Sequence, residues 1–528
     1  MSVKPVLVGG QWRPARQPAG TFSAEDPATK TKLPDVFPVS GIEDVEAACR
    51  AAGEAAVTLR TLPPENVARF LERYADAIEA DADALSALAA RETALPVTPR
   101  LRAVELPRTT NQLRQGAAAV RDRSWVRATI DTKANLRSCY RPLGPVVVFG
   151  PNNFPFAFNS VAGGDFVAAI AAGNPVIAKA NTGHPGTSER LAELAYTELR
   201  ACDLPAATVQ LIYRTPPDVG FALVSHPLVG ATGFTGSKRA GLALKAAADR
   251  AGKPIYLEMS SVNPVFVLSG ALAERSPVIA KELYDSCAIG AGQFCTRPGV
   301  TVVEGGPRGD AFVAELRALF AAGTPGTLLG AGGVTSIGAA LGELTAHGAE
   351  VLTGGRPLED VRYGFQPTLL RVSGSQFLGD AHALQAEAFG TVNLVVVADG
   401  VAQMAAIAGA FEGNLTGCVY SDTRGSDDAA YDVVTGVLRD KVGRLLNDKV
   451  PTGVAVSPAM NHGGPFPATG HPGFTAVGIP ASLLRFSALH CYDNVRPHRL
   501  PPELANQNPT GKMWRLVDGA WSQRDVGA

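Results

Sequence analysis

The feature that most constrains this fold is a change of pattern at Pro145, after which short apolar runs alternate with helical stretches. Residues 146–149, 175–178, 208–213, 229–232 and 255–257 read as strands. Strands separated by helix-length segments imply crossover units and a mainly parallel sheet. A second series follows Asn263, with strands expected at 265–268, 300–303, 392–397 and 418–420 and helices at 277–289, 310–321 and 401–411. This predicts a second α/β domain. Ahead of both lie amphipathic stretches at 42–59, 65–88 and 102–120, a helical layer by their apolar spacing, and a ribbon-like segment at 125–140.

A chain of 528 residues, 46% hydrophobic and 18% charged, can bury large cores in two or three domains. Its 48 basic and 49 acidic side chains nearly cancel, so no bulk field favours nucleic acid or an anionic membrane. Residues 1–20 read neither as a secretory leader nor as a transit helix. The expected location is the cytoplasm. Seven scattered cysteines form no Cys-x-x-Cys pair and fit neither a disulfide framework nor a zinc site, so no metal is expected. The glycine-rich stretch 323–333 follows a helix rather than a strand and is expected to be a flexible surface loop. The proline-rich tail beyond Arg496 is expected to be extended along another surface.

Five segments carry chemistry. In GQFCTRPG (292–299), Cys295 sits between a glycine-bearing helix end and a Pro-Gly turn, a setting that exposes a sulfur and favours the thiolate. In PIYLEMSSVNP (254–264), Glu258 closes a strand at the edge where parallel sheets bind ligands. In PLGPVVVFGPNNFPFAF (142–158), Asn153 follows a buried strand and offers an amide N–H to a developing oxyanion. Lys179 ends the next strand, with Asn181 and Thr182 beside it to hold ribose or phosphate. VGATGFTGS (229–237) places Gly233 and Ser237 ahead of a helix whose N-terminal N–H groups suit a pyrophosphate. Each has an ordinary reading alone: a buried thiol, a solvated glutamate, turn-forming residues.

Taken together and in this order, with EAFG at 387–390, these motifs resemble the aldehyde dehydrogenase family from about Leu59 to beyond Gly478. The resemblance implies an aldehyde dehydrogenase-like α/β fold with a Rossmann-type cofactor domain, an α/β catalytic domain and a small oligomerisation ribbon. The implied divisions are an N-terminal helical part of the cofactor domain at 1–124, the ribbon at 125–141, and a nicotinamide-binding domain at 142–262. The catalytic domain follows at 263–447, and 448–528 returns to the cofactor domain with oligomerisation strands and the tail. Cys295 would be the nucleophile, Asn153 and the Cys295 N–H the oxyanion donors, and Glu258 the base for water. Lys179 would meet the adenosine ribose, Ser237 the pyrophosphate, Glu387 the nicotinamide ribose, and Phe389 would pack near the nicotinamide. Pro151-Asn152 and Met259-Ser260-Ser261 depart from the usual pattern and mark a divergent branch.

That branch resembles the 2-oxoglutarate semialdehyde (2,5-dioxopentanoate) dehydrogenases and NADP-dependent fatty aldehyde dehydrogenases, on RTTNQLR (108–114), HPGTS (184–188) and NHGGPFPATGHPGFTAVG (461–478). Thr182 stands where NAD-preferring relatives carry a glutamate, and Arg214 is placed to pair with an extra phosphate. The cofactor implied is NADP, with NAD also usable. By the same resemblance Arg108 and Gln112 line the access channel opposite Phe154 and Phe158, which favours 2,5-dioxopentanoate over a medium- or long-chain aldehyde. A homodimer or homotetramer is implied as well. From other classes, a cysteine hydrolase has no use for Lys179 or the GFTGS loop, and a noncatalytic relative no need of Cys295, Glu258 and Asn153 together.

Overall fold

A computed structural model of the chain describes residues 2–527. The strands Ile255–Glu258, Ala231–Thr235, Val146–Phe149, Val176–Lys179 and Val209–Ile212 lie side by side in that order, all parallel. Such strands need apolar residues on both faces because helices cover both sides, and all four residues of Val146–Phe149 are buried. The chain runs from Val146–Phe149 outward on one side and then crosses to Ala231–Thr235 on the other. A crevice opens at such a reversal. The strand ends Phe149, Lys179, Thr235 and Glu258 all reach it.

An edge hairpin, Val6–Val8 with Gln11–Arg13, extends this sheet antiparallel to Val209–Ile212. Its turn is Gly9-Gly10, both at positive φ (64° and 74°), the conformation that two-residue hairpin loops require. Strands of three residues are too short to show alternation, so periodicity did not predict them.

The second sheet runs Glu350–Thr353, Thr368–Ser373, Val392–Ala398, Val300–Glu304, Val265–Val267, Asn414–Tyr420, Val442–Asn447, parallel except for its first pair. Its strand beginnings turn toward the crevice: Cys295 precedes Val300, and Glu387 precedes Val392, by five residues each. One sheet's carboxyl edge therefore faces the other's amino edge across a shared cleft.

The ribbon 125–140 forms Thr129–Asp131 and Leu136–Pro142, which join Ser487–Asp493 and the hairpin Arg515–Val517/Ala520–Ser522 in a third sheet. The tail, expected to be extended along another surface, lays its strands along the ribbon of its own chain. Arg515 is fully buried there and donates to the Asn506 and Arg524 carbonyls. Two helical expectations also change. The stretch 65–88 is two helices, Pro64–Ala80 and Ala82–Thr93, divided at Asp81. The stretch 102–120 becomes regular only at Leu106–Asp122, with Pro107 in the first turn, where its missing N–H costs no helix bond. Among the described residues no helix is long and apolar enough to cross a membrane.

Candidate active site

The cleft between the two parallel sheets, about 540 Å³, is lined by Asn153, Lys179, Asn181, Ser237, Glu258, Cys295, Glu387 and Phe389 among others. Residues drawn from a span of more than two hundred positions thus meet on one surface. Cys295 is held from behind. Asn263 Nδ2 donates to the Cys295 carbonyl at 2.8 Å and to the Arg297 carbonyl at 2.9 Å. Gly292 lies at φ 74° with its α-carbon against Gly390, where a β-carbon would come within 2.1 Å of the Gly390 backbone. The cysteine loop and the EAFG segment are thereby docked backbone to backbone. Buried Arg297 ties them further through the carbonyls of Ala388 and Val392.

Burial, and then the charge of Glu258, push the Cys295 thiol well above its ordinary value, with Arg108 opposing. The turn was expected to expose the sulfur and favour the thiolate; instead the sulfur is half-buried beside a carboxylate, which penalises a second negative charge. Asn153 is fixed by an Nδ2 bond to the Gln293 carbonyl at 2.9 Å and by an Arg100 bond to its own carbonyl at 3.0 Å. The amide keeps a second N–H for a ligand, and the Cys295 N–H has no partner among the described residues.

Glu258 is 1% exposed. Its Oε1 lies 3.0 Å from His462 Nε2, and its Oε2 has no partner. The same His462 Nε2 is 3.5 Å from Cys295 Sγ. Sequence reasoning missed His462 although the motif holding it was singled out. It arrives because the segment after Asn461 folds back: Met259 N donates to Ala468 O and Gly470 N to Leu257 O, while Thr475 Oγ1 accepts the His462 N–H. Serines in the Met259-Ser260-Ser261 departure have a use as well. The Ser261 N–H donates to Glu387 Oε1 at 3.2 Å, and Ser260 also bonds this carboxylate, which burial otherwise raises.

On the cofactor side, Lys179 has no acidic partner among the described residues, and burial, then the nearby Arg214, lower its ammonium to about 8. A cation in that state gains from an anion or hydroxyl set beside it. Ser237 caps the 13-residue helix Lys238–Arg250 by accepting from Ala240 N at 3.4 Å, so that helix start opens on the cleft. These residues fit a dinucleotide. Five expectations change in detail. Gly233 lies inside its strand, where a β-carbon would meet Asp165 at 2.6 Å, and Gly236 lines the cleft instead. Asn181 reaches the cleft but uses its amide on Gly150 O at 3.0 Å and Gly183 N at 2.9 Å. Thr182 and the exposed Arg214 stand outside the lining. The stretch 323–333 is no detached loop, since Leu329, Gly330, Gly332 and Gly333 form cleft wall, tied by a Leu329 N–H bond to Gln293 Oε1.

A second pocket of about 450 Å³ holds Arg100, Arg108, Phe154, Phe294, Val454 and Val456. Arg108 lies over the Phe154 and Phe158 rings, 6.0 and 5.3 Å from their centroids. Its Nε and Nη2 are buried without partners, and it forms no ion pair among the described residues. Arg100, which sequence reasoning missed because it lies in the irregular stretch before Leu106, pairs with Glu105. Gln112 is 2% exposed and packs toward Gly164, away from this pocket, because it falls on the buried face of its helix.

A family model described as "Aldehyde dehydrogenase family" matches residues 12–439. Alpha-ketoglutaric semialdehyde dehydrogenase 2 of Azospirillum brasilense is 40% identical over 515 residues, covering 95% of this chain and 96% of the relative. Alpha-ketoglutaric semialdehyde dehydrogenase of Acinetobacter baylyi is 36% identical over 500 residues, 92% and 93%. Lactaldehyde dehydrogenase from Escherichia coli superposes with a TM-score of 0.78 at 22% identity, covering 93% of this chain and 98% of that one.

Proposed function

The chain belongs to the aldehyde dehydrogenase family, and from that premise we propose that it oxidises 2,5-dioxopentanoate to 2-oxoglutarate through a thioester on Cys295. The observation that carries the substrate is Arg108, a half-buried guanidinium with two unpartnered nitrogens near the Cys295 sulfur, in a pocket whose other cation, Arg100, is already paired with Glu105. A distal carboxylate supplies the missing partner and leaves the aldehyde end toward the cysteine. Two relatives bear the name of this activity.

In the proposed mechanism the Cys295 thiol gives its proton to His462 Nε2, 3.5 Å from the sulfur, as the sulfur adds to the aldehyde carbon. The Asn153 amide and the Cys295 N–H receive the oxyanion, an arrangement whose loss costs about 3–4 kcal/mol in comparable sites. When bound, a nicotinamide supplies the hydride acceptor that turns the cysteine adduct into a thioester. Glu258 then takes a proton from water as it attacks the acyl carbon, and the acid leaves. Lys179, Ser237 and Glu387 hold the dinucleotide at its ribose, pyrophosphate and nicotinamide-ribose ends, with Phe389 near the nicotinamide. NADP is the favoured form and NAD is also used: Lys179 and Arg214 are two cations close enough to interact, and Thr182 brings no carboxylate to repel a phosphate.

A second reading, a medium- or long-chain aldehyde, is supported by Phe154, Phe294, Val454 and Val456 in the same pocket. Assays of 2,5-dioxopentanoate, succinate semialdehyde and decanal with both cofactors separate the two. The highest kcat/KM is expected for 2,5-dioxopentanoate with NADP; preference for decanal, or a strong preference for NAD, overturns the corresponding assignment. Arg108→Met is expected to raise the KM for 2,5-dioxopentanoate about 10- to 100-fold, since a charge-assisted bond contributes about 1.5–3 kcal/mol, and to leave that for decanal little changed. An unchanged KM for the dioxo acid removes Arg108 from the role.

We also assign the third sheet to a homodimer or homotetramer. Leu489, Trp521 and Trp514 are 59%, 58% and 48% exposed there, apolar area of the kind that marks an interface. Cytoplasmic placement rests on seven unpaired cysteines, one of them the nucleophile, which suit a reducing compartment. The domain divisions at 1–124, 125–141, 142–262, 263–447 and 448–528 belong to the same proposal.

A further inference from the structure

Three atoms of metal-ligand type meet beside the cleft: a sulfur of Cys295, a carboxylate oxygen of Glu258 and an imidazole nitrogen of His462, all within 4.8 Å of one another. They form the one such group of three among the described residues. The spacing can be compared with what a tetrahedral zinc ion requires. Usual Zn–N, Zn–O and Zn–S bond lengths place nitrogen and oxygen about 3.3 Å apart, and nitrogen and sulfur about 3.6 Å apart. His462 Nε2 stands 3.0 Å from Glu258 Oε1 and 3.5 Å from Cys295 Sγ. Both edges are met to within a few tenths of an ångström.

We propose that Cys295, His462 and Glu258 form a binding site for Zn²⁺, which caps the nucleophile and reversibly inhibits the enzyme. The donor set is of the mixed sulfur, nitrogen and oxygen kind that zinc accepts. Electrostatics favour it too, since a divalent cation balances the Cys295 thiolate and the Glu258 carboxylate, two charges that oppose each other without it. Glu258 Oε2, buried and unpartnered, is a further acceptor on the same carboxylate. On binding, the Cys295 thiol proton leaves to solvent and His462 takes the tautomer with its proton on Nδ1, so that Nε2, which faces Glu258 Oε1 at 3.0 Å, presents a lone pair. The fourth position is left for water, reached through the cleft that Cys295 and Glu258 line. All three groups are then engaged, which makes the bound ion a block rather than a catalyst.

Coordination follows from these distances alone, whereas inhibition rests on the reading of Cys295 as nucleophile. Co²⁺ tests the first part because its thiolate complexes absorb in the near ultraviolet and its tetrahedral complexes in the visible. One equivalent of Co²⁺ added to the full chain is expected to give both bands, and Zn²⁺ to displace them. Cys295→Ser is expected to abolish the thiolate band. His462→Asn is expected to weaken Co²⁺ binding by more than about tenfold, the loss that even removal of a supporting residue brings. Cys491→Ser, at the exposed thiol of the third sheet, should leave the spectrum intact. Zn²⁺ should suppress aldehyde oxidation in parallel, with recovery on chelation. A missing band, or one that survives Cys295→Ser or binds as tightly in His462→Asn, overturns the site. A normal band with undiminished oxidation keeps the site and overturns the nucleophile.

Discussion

Glu258→Gln is expected to give a burst of reduced nicotinamide near one equivalent per active site, followed by turnover slowed about 10²- to 10⁴-fold, the range for loss of a general base. The burst survives because acylation does not need this carboxylate. After burial, its charge is what raises the Cys295 thiol, so the neutral amide eases ionisation. His462 Nε2 still lies beside the sulfur to receive the proton. Deacylation has no such substitute. Water attacking the thioester must lose a proton, and Oε2 of Glu258 is the buried acceptor left unclaimed for it. Rapid-mixing absorbance of the reduced cofactor measures both phases. Loss of the burst reassigns Glu258 to activation of the thiol.

Cys295→Ser is expected to cut steady-state oxidation by about 10⁴-fold or more, as removal of a covalent nucleophile does in other enzymes. Burial already raises a thiol at this position, and a hydroxyl, far less acidic at the outset, is not ionised by His462 as readily as the thiol is. Cofactor affinity should change little, because Lys179, Ser237 and Glu387 are contributed by other segments. Titration of the variant with NADP, set beside its turnover, separates a lost nucleophile from a lost fold.

Groups set by local structure were legible in the sequence. Lys179 and Glu258 end buried strands, and Cys295 and Glu387 precede strands of the second sheet, so apolar runs and turn residues located them. What the sequence hid depends on contacts between distant segments. His462 reaches Glu258 only because the chain after Asn461 returns across Leu257–Met259. Gln112 and Arg108, four apart on one helix, share a side by spacing, yet packing against Gly164 turns Gln112 inward. The tail's destination was likewise a matter of tertiary pairing, since Arg515–Val517 gains its place from Thr129–Asp131. The surroundings of Cys295 were hidden as well, because a turn motif carries no record of the burial and the carboxylate that raise its thiol.

The most direct test of the central claim is the mass of the cysteine itself. Glu258→Gln would be mixed with NADP and the best aldehyde of the panel, quenched in acid during the slow phase, and digested for mass analysis of the peptide containing Cys295. The account predicts that peptide carrying the acyl group of the product acid, removable by hydroxylamine. An unmodified Cys295 peptide, recovered while a full burst of reduced cofactor is seen, would contradict it.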